Sequence, residues 1–142
     1  MNQKVQQNTW IDSKVNLKLK LASLWTSLMF LIIYLDYFHL YMPSSLADIQ
    51  TGKVYVFDIN QGFLMIAFIM VTIPSLMIFL SVVMSAKINR WTNIIIATIY
   101  IPFILFNLSG KAWTHMITGA IIQVILLFII IHYAWKWSRT DT

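Results

Sequence analysis

An all-α fold, a four-helix transmembrane bundle with both chain ends on one side, is what this sequence predicts. Three features predict it: an apolar composition, four long apolar runs, and a lopsided distribution of basic residues between those runs. Of 142 residues, 59% are hydrophobic and 11% are charged. A water-soluble domain is nearer half apolar and a quarter charged, so this chain cannot cover its surface with polar groups and needs lipid as solvent. Its length allows a single membrane domain, residues 1–142.

Composition also removes whole classes of chemistry. Cysteine is absent, which excludes disulfides, thiolate metal sites, iron–sulfur clusters and cysteine nucleophiles. Glutamate is absent too, and with it the Glu-x-x-His ligands of di-iron bundles and the His-Glu-x-x-His zinc helix. The net charge of +5 raises the question of nucleic acid. The basic residues cluster at the ends of apolar runs, however, which is the pattern of topology signals rather than of a phosphate-binding stripe.

The first span is predicted at 21–42, between Lys18 and Lys20 on one side and Pro43 on the other. At about 1.5 Å rise per residue, roughly 20 apolar residues cross a hydrocarbon core of about 30 Å. Val15 to Leu21 alternates apolar and polar residues, a strand-like period. With no partner strand in view it reads as a helical or irregular interfacial lead-in whose lysines reach toward lipid head groups. Ser45-Leu46-Ala47 has cleavage-like small residues, but the preceding run is too long for a signal peptide and carries Asp36. After Pro43, Ser45-Leu46-Ala47-Asp48 resembles a capping box and Gly52 a helix stop, predicting one short interfacial helix. Lys53 to Phe57 alternates again, with aromatics suited to the membrane surface.

The second span is predicted at 62–84, with Pro74 in mid-run and Thr72 and Ser75 beside it as donors for the carbonyls that proline frees. Residues 85–90 read as a tight basic turn, and the third span as 91–108 with a second proline, Pro102. The fourth runs over 113–135. Four crossings place Lys4, Lys14, Lys18, Lys20, Lys87, Arg90, Lys136 and Arg139 on one side, against Lys53 and Lys111 on the other. Eight against two is a strong positive-inside bias and predicts both termini in the cytoplasm. Trp25, Trp91, Trp135 and Trp137 then form an inner aromatic belt, and Tyr41, Tyr55 and Trp113 an outer one.

The chain resembles a family of small bacterial four-span membrane proteins of unassigned function. The residues that carry the likeness are Lys18-Leu19-Lys20-Leu21 with Leu24-Trp25, Asp36-Tyr37-Phe38 with Leu40-Tyr41 and Pro43, and Ile73-Pro74 with Leu76 to Leu80. Asn89-Arg90-Trp91 with Asn93, and Tyr133-Ala134-Trp135, complete it. The resemblance implies only a multi-pass fold and transfers no catalytic or ligand residues; the expected setting is a bacterial inner membrane. The two halves share no internal repeat that would favour an inverted-repeat transporter.

Candidate site residues follow from depth. Asp36 lies about 9 Å below the outer end of the first span, and His39 one turn farther out on the same face. In the fourth span His115, Gly119 and Gln123 recur every four residues; in the third, Asn93, Tyr100 and Asn107 recur every seven; Gln61 opens the second. Asp36, His39, Gln61, Tyr100, Asn107, His115 and Gln123 could therefore enclose an outward-facing polar pocket. A carboxylate at membrane depth costs about 2.5–3.5 kcal/mol at the bilayer centre, so Asp36 should face its helical neighbours. A purely structural tie between helix ends competes with that reading. Gly119 reads as a packing position, and Arg90 with Trp91 as an anchor with affinity for anionic lipid head groups.

No paired carboxylates, activated serine or phosphate-cradling glycine loop is present, so no enzymatic activity is expected. The leading expectation is a protein that binds or passes a small solute or ion at Asp36, with no cofactor or metal, alone or as a homo-oligomer. An accessory subunit of a larger membrane complex is the alternative. A haem- or quinone-linked redox protein, suggested by His39 and His115 near one surface, comes third.

Overall fold

The computed structural model describes residues 14–109 and 112–137. Its elements are α1 (Leu17–His39), α2 (Ser45–Gln50), β1 (Lys53–Val54), β2 (Phe57–Asp58), α3 (Gln61–Val83), α4 (Ala86–Phe106) and α5 (Thr114–Trp135). Helices α1, α3, α4 and α5 are each long and apolar enough to cross a bilayer, which makes this a multi-pass, all-α membrane protein. Two ends can be told apart. One gathers the start of α1, the turn between α3 and α4, and the end of α5; it is called here the terminal end. The other, the loop end, carries α2 and the β1–β2 hairpin.

Local chemistry sets the helix limits. Asn16 caps α1, its side-chain oxygen accepting from the Lys18 amide at 2.9 Å, so of the two forms expected for the lead-in, helical and irregular, it takes the helical one from Leu17 onward. α1 therefore starts four residues earlier than the apolar run suggests and ends at His39, before Pro43. Asn60 caps α3 in the same way, accepting from Phe63 N at 2.9 Å. The predicted basic turn at 85–90 shrinks to Met84 and Ser85, because α4 already begins at Ala86. The capping box at Ser45 does not form. Ser44 is the cap residue, in a left-handed conformation at φ 68° without a side-chain capping bond, and Ser45 is the first helical residue.

α1 packs along α3 and along α5, α4 packs on α5, and α3 meets α4 only sparsely. The buried faces follow helical spacing: Leu21, Trp25 and Leu28 on α1; Asn89, Asn93, Ala97, Tyr100 and Ile104 on α4; Gly119, Gln123, Leu127, Ile130 and Ala134 on α5. The tightest core lies toward the terminal end, where Leu21, Trp25, Leu28, Met77, Leu127 and Ile130 are fully buried. Toward the loop end the packing loosens. From Gln61 to Ile69 every residue of α3 is exposed except the half-buried Phe63, an apolar surface suited to lipid.

A polar network ties the terminal half together. Asn93 Oδ1 accepts from Trp25 Nε1 at 2.6 Å and from Ser81 Oγ at 3.4 Å, while its amide donates to the Asn89 carbonyl at 2.9 Å and to Asn89 Oδ1 at 2.6 Å. Asn89 Nδ2 in turn donates to the Ser81 carbonyl at 2.6 Å. All four residues are fully buried, and α1, α3 and α4 meet there. Trp25, expected in the aromatic belt, is part of this core; starting at Leu17 places it two helical turns into α1.

Two further devices correct the sequence reading. Pro74 leaves the carbonyl four residues before it, that of Met70, without its helical donor. Tyr100 OH from α4 donates to that oxygen at 2.6 Å, whereas Thr72 bonds Phe68 O within its own helix. Lys18 Nζ, expected to reach head groups, instead donates to the carbonyls of Val82 at 3.2 Å and Met84 at 2.6 Å, capping the end of α3.

Asn93→Ala should destabilise the fold by about 1–3 kcal/mol, because Trp25 Nε1 and Asn89 Oδ1 are left buried without partners. Asn107→Ala, at an exposed helix end, should change stability by less than about 0.5 kcal/mol. Unfolding by sodium dodecyl sulfate in mixed micelles measures both; equal effects would remove the network from its central place.

Candidate functional site

The loop end is where the sequence places its pocket, and α1 delivers the first residues to it. Asp36 stands eleven residues after Trp25, three helical turns along the same face. At that level α1 still touches α5 through Leu35, yet Asp36 is exposed although it continues the buried stripe. His39, three residues on, is half-buried.

The hairpin supplies a partner for it. β1 and β2 pair antiparallel with Val54 opposite Phe57, and the first turn residue, Tyr55, has φ 53°. Such a position ordinarily takes glycine or asparagine, and a bulky side chain there is strained. The conformation directs Tyr55 onto His39: the phenol oxygen and His39 Nδ1 are 3.0 Å apart, and the rings lie 4.7 Å centroid to centroid at 35°. Burial is the larger cause holding the Tyr55 hydroxyl above the ordinary tyrosine pKa, and the Asp36 carboxylate raises it further. Tyr55 thus stays a neutral hydrogen-bond donor within electrostatic reach of Asp36.

α5 adds His115, close enough to His39 for their charges to interact. Its Nε2 is buried and has no hydrogen-bond partner among the described residues. One turn deeper, Gly119 sets how closely α1 approaches: a Cβ there would lie 2.5 Å and 2.7 Å from the two methyl carbons of Leu35 and 3.1 Å from its Cγ. Leu35 adjoins Asp36 and Gly119 is one turn from His115, so α1 and α5 touch next to both residues.

Four further residues, Tyr100, Gln123, Gln61 and Asn107, are expected in the pocket. Tyr100 is buried in the α3–α4 contact and Gln123 is buried on α5. Gln61 and Asn107 are exposed at helix ends, Gln61 lining a shallow apolar surface groove with Ile59, Leu64 and Phe68. Among the described residues no three His, Asp or Glu side chains are grouped so that they could hold a metal ion. Tyr55 is the member that sequence reasoning missed, since its turn carries no Asn-Gly or Asp-Gly signal. Beside the site, Phe30, Tyr34 and Phe38 form an exposed aromatic ladder with ring spacings of 6.4 Å and 6.3 Å.

The group set is one carboxylate, two imidazoles and one phenol. It can attract a cation, exchange protons, or hydrogen-bond a small polar solute. Asp36→Asn should move the Tyr55 pKa down toward the ordinary tyrosine value without reaching it, because burial persists. Alkaline tyrosinate absorbance, with Tyr55→Phe as the subtracted reference, measures this; an unmoved titration would place Asp36 beyond electrostatic reach of the phenol.

No curated protein and no solved structure matches the chain at a significant level. A family model described as "Family of unknown function (DUF6326)" matches residues 8–142. The match spans nearly the whole chain, so the protein belongs to that family of unknown function.

Proposed function

We propose that this is a non-enzymatic membrane protein that binds a small cationic or hydrogen-bonding solute, or an ion, at the loop end of its bundle. Asp36 supplies the charge, Tyr55 a neutral donor, and His39 and His115 the adaptable donor–acceptor groups. The observation that carries this reading is the His115 Nε2, buried without a hydrogen-bond partner among the described residues. An unsatisfied buried polar atom costs about 1–3 kcal/mol, and a ligand that reaches it recovers that cost. Passage across the membrane would require the packed terminal half to open, so binding from the loop end is the activity favoured in this conformation. The eight-to-two distribution of basic residues supports an orientation with both termini cytoplasmic and the loop end outward; the setting proposed is a bacterial inner membrane.

The chain has no cysteine, so single cysteines report water access cleanly. In intact cells Asp36→Cys should react with a membrane-impermeant thiol reagent from outside, and Leu28→Cys should not. Purified protein should gain thermal stability in some member of a panel of sodium, potassium, choline and spermidine salts, with the gain lost in Asp36→Asn and in His115→Ala. An unreactive Asp36→Cys, or one labelled only from the cytoplasmic side, would defeat the proposal.

A further inference from the structure

The terminal end holds a second unfinished arrangement, centred on Arg90. Its guanidinium carbon lies 5.5 Å from the centre of the Trp91 ring and 5.6 Å from that of Trp135, so one cation is held by two indoles from different helices. Arg90 is half-buried, and its Nε is fully buried without a hydrogen-bond partner among the described residues. The neighbouring basic residues differ: Lys18 is occupied with the carbonyls that end α3 and Lys20 lies 5.4 Å above the Tyr133 ring. Lys87 and Lys136, on either flank of Arg90 and Trp135, are exposed.

We infer that Arg90, Trp91 and Trp135 form a binding site for the phosphate of an anionic lipid head group. A guanidinium presents a planar fork of donors that matches a phosphate, and contact with indole faces costs it little of its charge. The buried Nε means that part of this fork is already removed from water. The indoles are exposed on the outside of the bundle, Trp91 by 46% and Trp135 by 61%, where interfacial tryptophans meet head groups. The site therefore opens to the bilayer, and its natural phosphate is a lipid's rather than a dissolved ion. Lys87 and Lys136 add the positive field that favours an anionic over a zwitterionic head group.

Native mass spectrometry of the full chain, released from micelles doped with phosphatidylglycerol or with phosphatidylcholine, tests this. Wild type should retain phosphatidylglycerol in preference, and Arg90→Gln should weaken that retention about tenfold, the loss expected for a charge-assisted bond. Lys53→Gln, at the other end, should leave it unchanged. Trp135→Leu gives a second reading should Arg90→Gln fail to fold, and should weaken retention in the same direction. Equal retention of the two lipids, retention indifferent to both Arg90→Gln and Trp135→Leu, or displacement by equimolar inorganic phosphate would overturn the inference.

Discussion

A buried carboxamide with no water to turn to organises this molecule. In hydrocarbon each unmet hydrogen-bonding group costs several kcal/mol, so Asn93 must find its partners inside the protein. It finds them on three helices: the Trp25 indole on α1, the Ser81 hydroxyl on α3 and the Asn89 amide one turn back on α4. Individual interhelical hydrogen bonds in membranes contribute modestly, about 0.6–2 kcal/mol each. What Asn93 adds is register. Sliding α1 by one residue would turn Trp25 away from it, and slipping the α3–α4 hairpin would separate Ser81 from Asn89. Apolar packing alone tolerates such slips, because lipid tails are as apolar as leucine.

The same logic explains why α3 and α4 hold together while touching so little. Their turn is closed by Asn89 on the Ser81 carbonyl, and farther along the pair is joined again by Tyr100 on the Met70 carbonyl. Pro74 creates the demand that Tyr100 meets. A proline in mid-helix is usually a local defect repaired by its own neighbours; here the repair comes from the next helix and becomes a tertiary contact. Lys18 plays a comparable part for the free carbonyls at the end of α3, joining α1 to the hairpin.

Crossing number and helix class were legible in the apolar runs, since nothing else accounts for four stretches of that length. The α4 face was legible too: Asn93 and Tyr100 stand seven apart and both turn inward. The depth of the polar core was not. Trp25 looked like a belt residue because the capping role of Asn16 and the helical state of the lysine-rich lead-in depend on competition between local bonds and tertiary packing. Asn89 looked like part of a turn because α4 extends five residues beyond its apolar run. Tyr55 left almost no trace, since its left-handed turn position carries neither glycine nor asparagine and its partner His39 lies sixteen residues away. Carboxylates and imidazoles attract attention as chemistry, yet in this protein the amides carry the architecture.

The two ends of the bundle consequently do different work. At the terminal end the fully buried side chains Trp25, Ser81, Asn89 and Asn93 are matched to one another and the apolar residues interlock, which leaves Arg90 Nε at the rim without a partner among the described residues. At the loop end Asp36 is exposed, His115 keeps a nitrogen unmatched among the described residues, and Tyr55 is held in a strained turn. Unmet polar groups and backbone strain persist in a fold only where surrounding structure holds them. Here the holding is done from below. α1 is one continuous helix of 23 residues, so the Trp25–Asn93 bond and the Gly119–Leu35 contact together position Asp36 and His39 without either residue having to satisfy itself. A site can stay open to an outside ligand when its stability is supplied elsewhere along the same helix, and α1 provides that arrangement.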